Sequence, residues 1–351
     1  MLLQYDIIII MSHCSTKPES SSDESYSEDD NTSIKYFMDE SDSDTDIIPD
    51  KKILVKREYT EPIIGKISAI NYVIPNAHNY IFKSWTDCFP DKKINLRSLI
   101  FNPSWYDFFD IVEKKPYYQK IEKILSESLG KKNLILPHAE LVFNSLNILS
   151  PERISIVIIG QDPYPGGDQI NGKFVPHACG FSFSVPMHSP KPSSLGNIYK
   201  NLLHYKHIRK IPESGCLSPL VMQGCFMINA TLTTIHMKKN EHENVWRQFT
   251  DDLVEYINRK CNNIVWLVWG KFAHCKCKSV NPDVHHIVTS SHPSPLAYDK
   301  TFSGQTYGDF KNERDRKHVT YQPFRDTDHF GKANAYLKSV GKQEILWDLI
   351  D

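Results

Sequence analysis

Four short runs of β-branched and aromatic residues constrain this 351-residue chain more than any other feature: Ile154-Ser155-Ile156-Val157-Ile158-Ile159, Phe226-Met227-Ile228-Asn229, Ile264-Val265-Trp266-Leu267-Val268-Trp269 and His286-Ile287-Val288-Thr289. Each is almost continuously apolar, the pattern of a strand buried on both faces. The stretches between them suit helices, Ser194–Tyr205 and Val245–Lys260 most clearly. Alternating strand and helix predicts one α/β domain, a central, mostly parallel four-stranded sheet with helices on both faces. In such sheets the ligand crevice lies beyond the carboxyl ends of the strands. Polar or turn-forming residues stand at every one of those ends: Gln161-Asp162, Asn229, Gly270-Lys271 and His292.

The sheet does not account for the whole chain. From Trp105 through Leu129 apolar residues recur at helical spacing, and Gly130 is a natural stop, so the folded body is expected over 85–351. Residues 51–84, punctuated by Pro62 and Pro75, read as a linker or strap, and residues 1–50 as a disordered acidic arm. Charge divides along the same line. The formal net charge of −1 conceals thirteen acids and two bases in residues 1–50, leaving 29 acids and 39 bases beyond. An acidic arm on a basic body suits a domain that binds a polyanion.

The opening MLLQYDIIIIM is interrupted by Asp6 and lacks a positive leader, so neither a membrane anchor nor a secretory segment is expected; Met11 is a second candidate start. Eight scattered cysteines then fit reduced thiols and an intracellular protein. His274, Cys275 and Cys277 are half a metal site at most, and with no second pair at ligand spacing no metal or other cofactor is expected.

Several motifs occur in a telling order. Gly160-Gln161-Asp162-Pro163-Tyr164-Pro165 is followed by Gly180-Phe181-Ser182-Phe183-Ser184-Val185, by Leu217-Ser218 and Gln223-Gly224 leading into Asn229-Ala230, and by His292-Pro293-Ser294-Pro295-Leu296. In this order the chain resembles the family 1 uracil-DNA glycosylases, from about Trp85 to the C-terminus. Pro192 through Tyr199, Trp246 through Thr250, and the ending from His329-Phe330 to Trp347 agree with the resemblance. A long acidic arm on a large body is similar to the extended enzymes of large DNA viruses.

The resemblance implies hydrolysis of the N-glycosidic bond of uracil in single- or double-stranded DNA, leaving an abasic site for base excision repair. Asp162 would face the sugar cation and orient water, and His292 would donate to uracil O2. Asn229 would read the base by pairing with O4 and N3–H, Tyr164 would block C5 against a thymine methyl, Phe183 would stack on the ring, and Gln161 would contribute its backbone. Leu296 would fill the gap left by the flipped base. Ser194, Gly270, Lys271 and Ser294 would hold phosphates.

Taken singly these residues have plainer readings, since a strand-end Asp or Asn commonly caps a turn and a buried Phe is commonly core. Pro165 replaces the family's usual His, Lys271 stands where a small hydroxyl residue is usual, and Ala297 replaces a Ser. Insertions are expected near 166–179 and 305–328. A replication or repair partner could engage the arm or the second insertion. The competing function is a DNA-binding accessory scaffold of a replication complex, against which the intact Asp162, Asn229 and His292 set argues.

Overall fold

The computed structural model describes residues 82–170, 172–187, 189–308 and 316–348. The acidic arm, all but the last three residues of the linker, and the centre of the second insertion lie outside the described residues.

The first long helical stretch is two helices where one was expected. A short helix, Tyr106–Val112, ends before Glu113, and helix α1, Pro116–Gly130, begins on a proline in its first turn. Proline has no N–H to donate and fits only where that donor would have no partner. It therefore resets the helical phase at residue 116. Tyr118, Ile121, Leu125 and Leu129 are buried along one face of α1, whereas Ile111 on the short helix stays exposed.

The four apolar runs form strands β1 (Ile156–Gly160), β2 (Cys225–Asn229), β3 (Val265–Trp269) and β4 (His286–Ser290). All pair in parallel, in the order β2-β1-β3-β4. Alternate side chains enter opposite faces. Val157, Ile159, Phe226, Ile228, Trp266 and Val268 join the main core with Trp105, Phe108 and Phe249. On the opposite face Trp269 meets Phe324 and Phe330 edge-on at 5.2 and 6.3 Å. The longer helices of the rest of the body include α2 (Ser193–His204), α3 (Glu243–Lys260), α4 (Gly270–Lys276) and α5 (His329–Ser339); α1 and α3 pack together, and α5 lies on β3 and β4. No helix among the described residues is long and apolar enough to cross a membrane.

This order creates a crevice. The chain leaves β1 toward β2 on one side and leaves β3 toward β4 on the other, so the loops beyond Gly160 and Trp269 diverge.

Both stretches expected to be insertions carry or border antiparallel ribbons. Gly167–Ile170 pairs with Lys173–Pro176, and Asp168 meets His177 at 2.9 Å. Phe302–Gln305 pairs with His318–Tyr321. The second ribbon is fastened to α4, where His274 donates to the Gln305 carbonyl at 2.6 Å. Buried Arg316 donates to the carbonyls of Lys278, Thr306 and Gly308. These bonds commit His274 to the fold, Cys277 is buried and Cys275 is exposed. Among the described residues no cluster of His, Cys, Asp and Glu is arranged to hold a metal.

Candidate active site

At the mouth of the central sheet Gly160 and Asn229 are partners in register. A Cβ at position 160 would lie 2.2 Å from the Asn229 Oδ1 and 2.9 Å from the Ser182 Cβ. The glycine thus lets the carboxamide lie across the strand end. Beyond it, the Ala230 and Thr231 amides donate to the carbonyls of Gly160 and Gln161, at 2.9 and 3.0 Å, and tie the two exits together.

Asp162 follows immediately. Its Oδ2 accepts from the Asn240 amide at 2.7 Å, while Oδ1 is buried with no partner. Burial pushes this carboxyl up to about 6; the Asn240 amide and the Lys239 charge pull it back, and Glu243 opposes them. Near neutral pH most of the population is therefore ionised, with one oxygen uncommitted.

Tyr164, two residues on, has its hydroxyl buried enough to raise its pKa and 3.4 Å from the Phe183 carbonyl. Phe183 belongs to a tightly held segment. Gly180 adopts φ +79, where a Cβ would stand 2.0 Å from the Leu141 carbonyl oxygen. Asn144 donates to the Cys179 carbonyl at 2.9 Å, and Ser182 Oγ to the Ile158 carbonyl at 3.1 Å. Phe183 itself sits at φ +63, a conformation costly for a residue with a Cβ. The surrounding bonds hold it there. Its ring is edge-on to Trp269, with centroids 5.4 Å apart. Asp162, Pro163, Tyr164, Phe183 and Asn229 line one cavity. The Asn229 carboxamide makes no hydrogen bond among the described residues, so its donor and acceptor are both available.

The other wall comes from the loops after β3 and β4. Gly270 has φ +86, and a Cβ there would lie 2.8 Å from the Cβ of His292. His292 can therefore sit against the start of α4, its ring centroid 5.9 Å from that of Phe183. Its Nδ1 accepts from the Ser294 amide at 3.0 Å. Burial lowers its pKa to about 4, so the ring is neutral. A neutral imidazole with an accepting Nδ1 carries its proton on Nε2.

The same loop is anchored on three sides. Asn197 of α2 donates to the Pro293 carbonyl at 2.8 Å, Ser291 Oγ donates to the Ala297 carbonyl at 2.7 Å, and the Phe324 amide donates to Ser291 Oγ at 2.8 Å. From this fixed base Leu296 projects 81% exposed.

Of the residues singled out by sequence, Asp162, Tyr164, Phe183 and Asn229 share the cavity, and His292 stands beside Phe183. Ser294 presents its amide to His292. Ser194 is half-buried in the first turn of α2, which docks on the His292 loop through Asn197. Gly270 is buried and Lys271 exposed at the start of α4. The Gln161 side chain is exposed and reaches toward Asn240 Oδ1 at 3.5 Å, while its carbonyl is engaged by Thr231. Sequence reasoning missed Asn240, which acts on Asp162 through a backbone N–H, a group no motif displays. It also missed Trp269, visible only as core.

A family model described as "Uracil DNA glycosylase superfamily" matches residues 147–317. The chain is 45% identical over 295 residues to a probable uracil-DNA glycosylase of Acanthamoeba polyphaga mimivirus, covering 84% of this chain and 78% of the relative. It is 37% identical over 257 residues to a uracil-DNA glycosylase of Caenorhabditis elegans, covering 73% and 80%. A crystal structure of mimivirus uracil-DNA glycosylase superposes with a TM-score of 0.75 at 46% identity, covering 80% of this chain and 99% of that one.

Proposed function

The chain belongs to the uracil-DNA glycosylase family and is an N-glycosyl hydrolase of uracil in DNA, and from that premise we propose how its residues divide the reaction. The observation that carries this reading is the contrast between two titratable groups at one cleft: Asp162, mostly ionised with Oδ1 uncommitted, and His292, neutral with its proton on Nε2.

Uracil must first leave the stack, which costs a few kcal/mol. Leu296 fills the vacated space, and the loops bearing Ser194, Gly270, Lys271 and Ser294 hold the flanking phosphates. In the cavity the free Asn229 amide donates to O4 and accepts from N3–H. Cytosine reverses that pattern and would leave both groups mispaired. Tyr164 covers C5, Phe183 stacks on the ring, and Gln161 supports the O2 edge through its main chain.

As the bond between N1 and C1′ breaks, its electron pair leaves with the base and positive charge grows on the sugar. Asp162 faces that charge and orients the water that adds to C1′, the water giving up one proton to solvent as the base departs as its anion. His292 Nε2–H donates to O2, where the departing anion concentrates its charge. A neutral donor suffices, so the lowered pKa of His292 suits the role. No cofactor takes part in this division of labour. Among the described residues none from the 305–328 stretch lines the cavity, and we assign that stretch or the acidic arm to a replication or repair partner at intracellular DNA.

Release of uracil from an oligonucleotide carrying one uracil, read as alkali-labile cleavage, tests the proposal. The wild type should cleave in EDTA, and Tyr164→Ala should also release thymine from a thymine-containing strand. Activity that EDTA abolishes and added metal restores would overturn the residue-only mechanism. A folded Tyr164→Ala that still refuses thymine would overturn the C5 assignment.

A further inference from the structure

Two apolar side chains stand apart on the described surface: Leu296 at 81% exposure and Met237 at 76%, the next being Ile111 at 53%. Leu296 lies four residues past His292. Met237 lies three residues before Asn240, whose amide holds Asp162. The two halves of the reaction centre each carry an apolar projection.

The loop bearing Met237 is built to present it. Its backbone is left-handed at Met237 (φ +63) and at Asn240 (φ +57), and the former is strained for a side chain of this kind. Five hydrogen bonds hold it: the Met237 amide and His236 Nδ1 donate to the Pro165 carbonyl at 2.9 and 3.0 Å, the His236 amide to Leu134 at 2.8 Å, the Lys238 amide to Ile235 at 2.8 Å, and Thr234 Oγ1 to the Lys238 carbonyl at 2.5 Å. Pro165 belongs to the loop of Asp162 and Tyr164, so the backbone of Met237 is fastened to the loop that carries both residues. Lys238 and Lys239 follow, both exposed. Lys238 has only a loose contact with Glu241 at 3.6 Å, and among the described residues Lys239 has no ion-pair partner.

A fixed apolar side chain beside two available cations matches a nucleic-acid strand, which offers flat apolar surfaces between phosphates. Resting on the glycosylase reading, we propose that Met237, Lys238 and Lys239 form a second DNA contact on the Asp162 side of the cleft. The thioether side chain packs on the sugar or base of a nucleotide adjoining the flipped uridine, and the lysines engage its phosphates. DNA would then be gripped from both walls, by Leu296 and by Met237.

The test uses the full chain and a uracil-containing duplex. Met237→Asn keeps a residue tolerant of the left-handed backbone and removes the apolar contact, and Met237→Gly removes both strain and side chain. Each should raise KM about fivefold, as partial loss of methionine burial would give, with a smaller change in kcat. Lys239→Gln should reduce the log–log salt slope of DNA binding by about one. Unchanged KM and salt slope in folded variants of an active enzyme would overturn the contact. A wild type that releases no uracil, with the variants still binding DNA more weakly, would overturn the glycosylase reading and leave the contact standing.

Discussion

Asp162 stands on the loop after β1 and His292 on a loop after β4, and burial presses both toward the uncharged form. The outcomes differ because their loops offer different partners. Asp162 takes one backbone N–H and lies near Lys239, which keeps its pKa to about 6 despite burial. His292 takes a backbone N–H on Nδ1, has no carboxylate among the described residues to support a cation, and its pKa falls with burial to about 4. Near pH 7 one wall is charged and the other neutral. The same kind of donor, a main-chain amide, supports a carboxylate on one side and fixes a tautomer on the other.

Removing the charged wall should produce the largest effect. Asp162→Asn is expected to lower single-turnover uracil release by about a thousandfold or more, with DNA binding retained in a titration, because the carboxylate acts on charge that grows at the transition state. Its stability should move the other way. The folded pKa of about 6 exceeds the ordinary 3.8, so the folded state binds more protons between those values and loses stability as pH rises through them. At pH 7 that cost is present in full, and Asn removes it. A gain of about 1 kcal/mol in denaturant unfolding is expected, discounted for the partial exposure of the carboxyl. Loss of stability together with activity would mean that Asp162 is chiefly structural.

The neutral wall should matter somewhat less. His292→Leu is expected to cost about a hundredfold to a thousandfold in the same assay, the scale of one lost donor to a developing anion. Near-full turnover would remove His292 from the mechanism. Gly270→Ala tests position rather than chemistry, because its new Cβ would press on the Cβ of His292 from a left-handed backbone. A loss of about tenfold to a hundredfold is expected with the thermal midpoint measured alongside. An active, undisturbed variant would show that His292 tolerates displacement.

Acid should separate the walls most gently. Below pH 6 kcat/KM should fall about tenfold per unit as Asp162 takes up its proton, and His292 should add nothing until near pH 4. A flat profile down to pH 5 would place the essential ionisation elsewhere.

The central sheet was legible because its four runs are continuously apolar and separated by helix-length segments. Pro116 is equally visible, but Phe108, Ile111 and Ile121 keep roughly helical spacing across it, so apolar spacing alone does not display the break it makes. The first ribbon has a local signal in the sequence Asn171-Gly172, a dipeptide suited to a tight hairpin. The second is set by long-range bonds from Arg316 and His274, which leave no local trace. In the site, the motif residues Asp162, Asn229 and His292 could be found because the roles proposed for them belong to side chains, which a motif displays. Asn240 could not, since only its amide contributes. Met237 reads as an ordinary apolar residue until its backbone conformation exposes it.

The register that places Gly160 opposite Asn229 also bears on how the protein acquires activity. These residues belong to parallel strands joined by a long crossover, and β3 and β4 enter the sheet only through later parts of the chain. Pairings of such long sequence separation must overcome loop-closure entropy before they are rewarded, so they form slowly. A refolding chain can regain α1 and α3 locally while the cavity still lacks its floor. Recovery of uracil release during refolding should therefore lag behind recovery of helical circular dichroism, making catalysis a clock for the last long-range contacts to close.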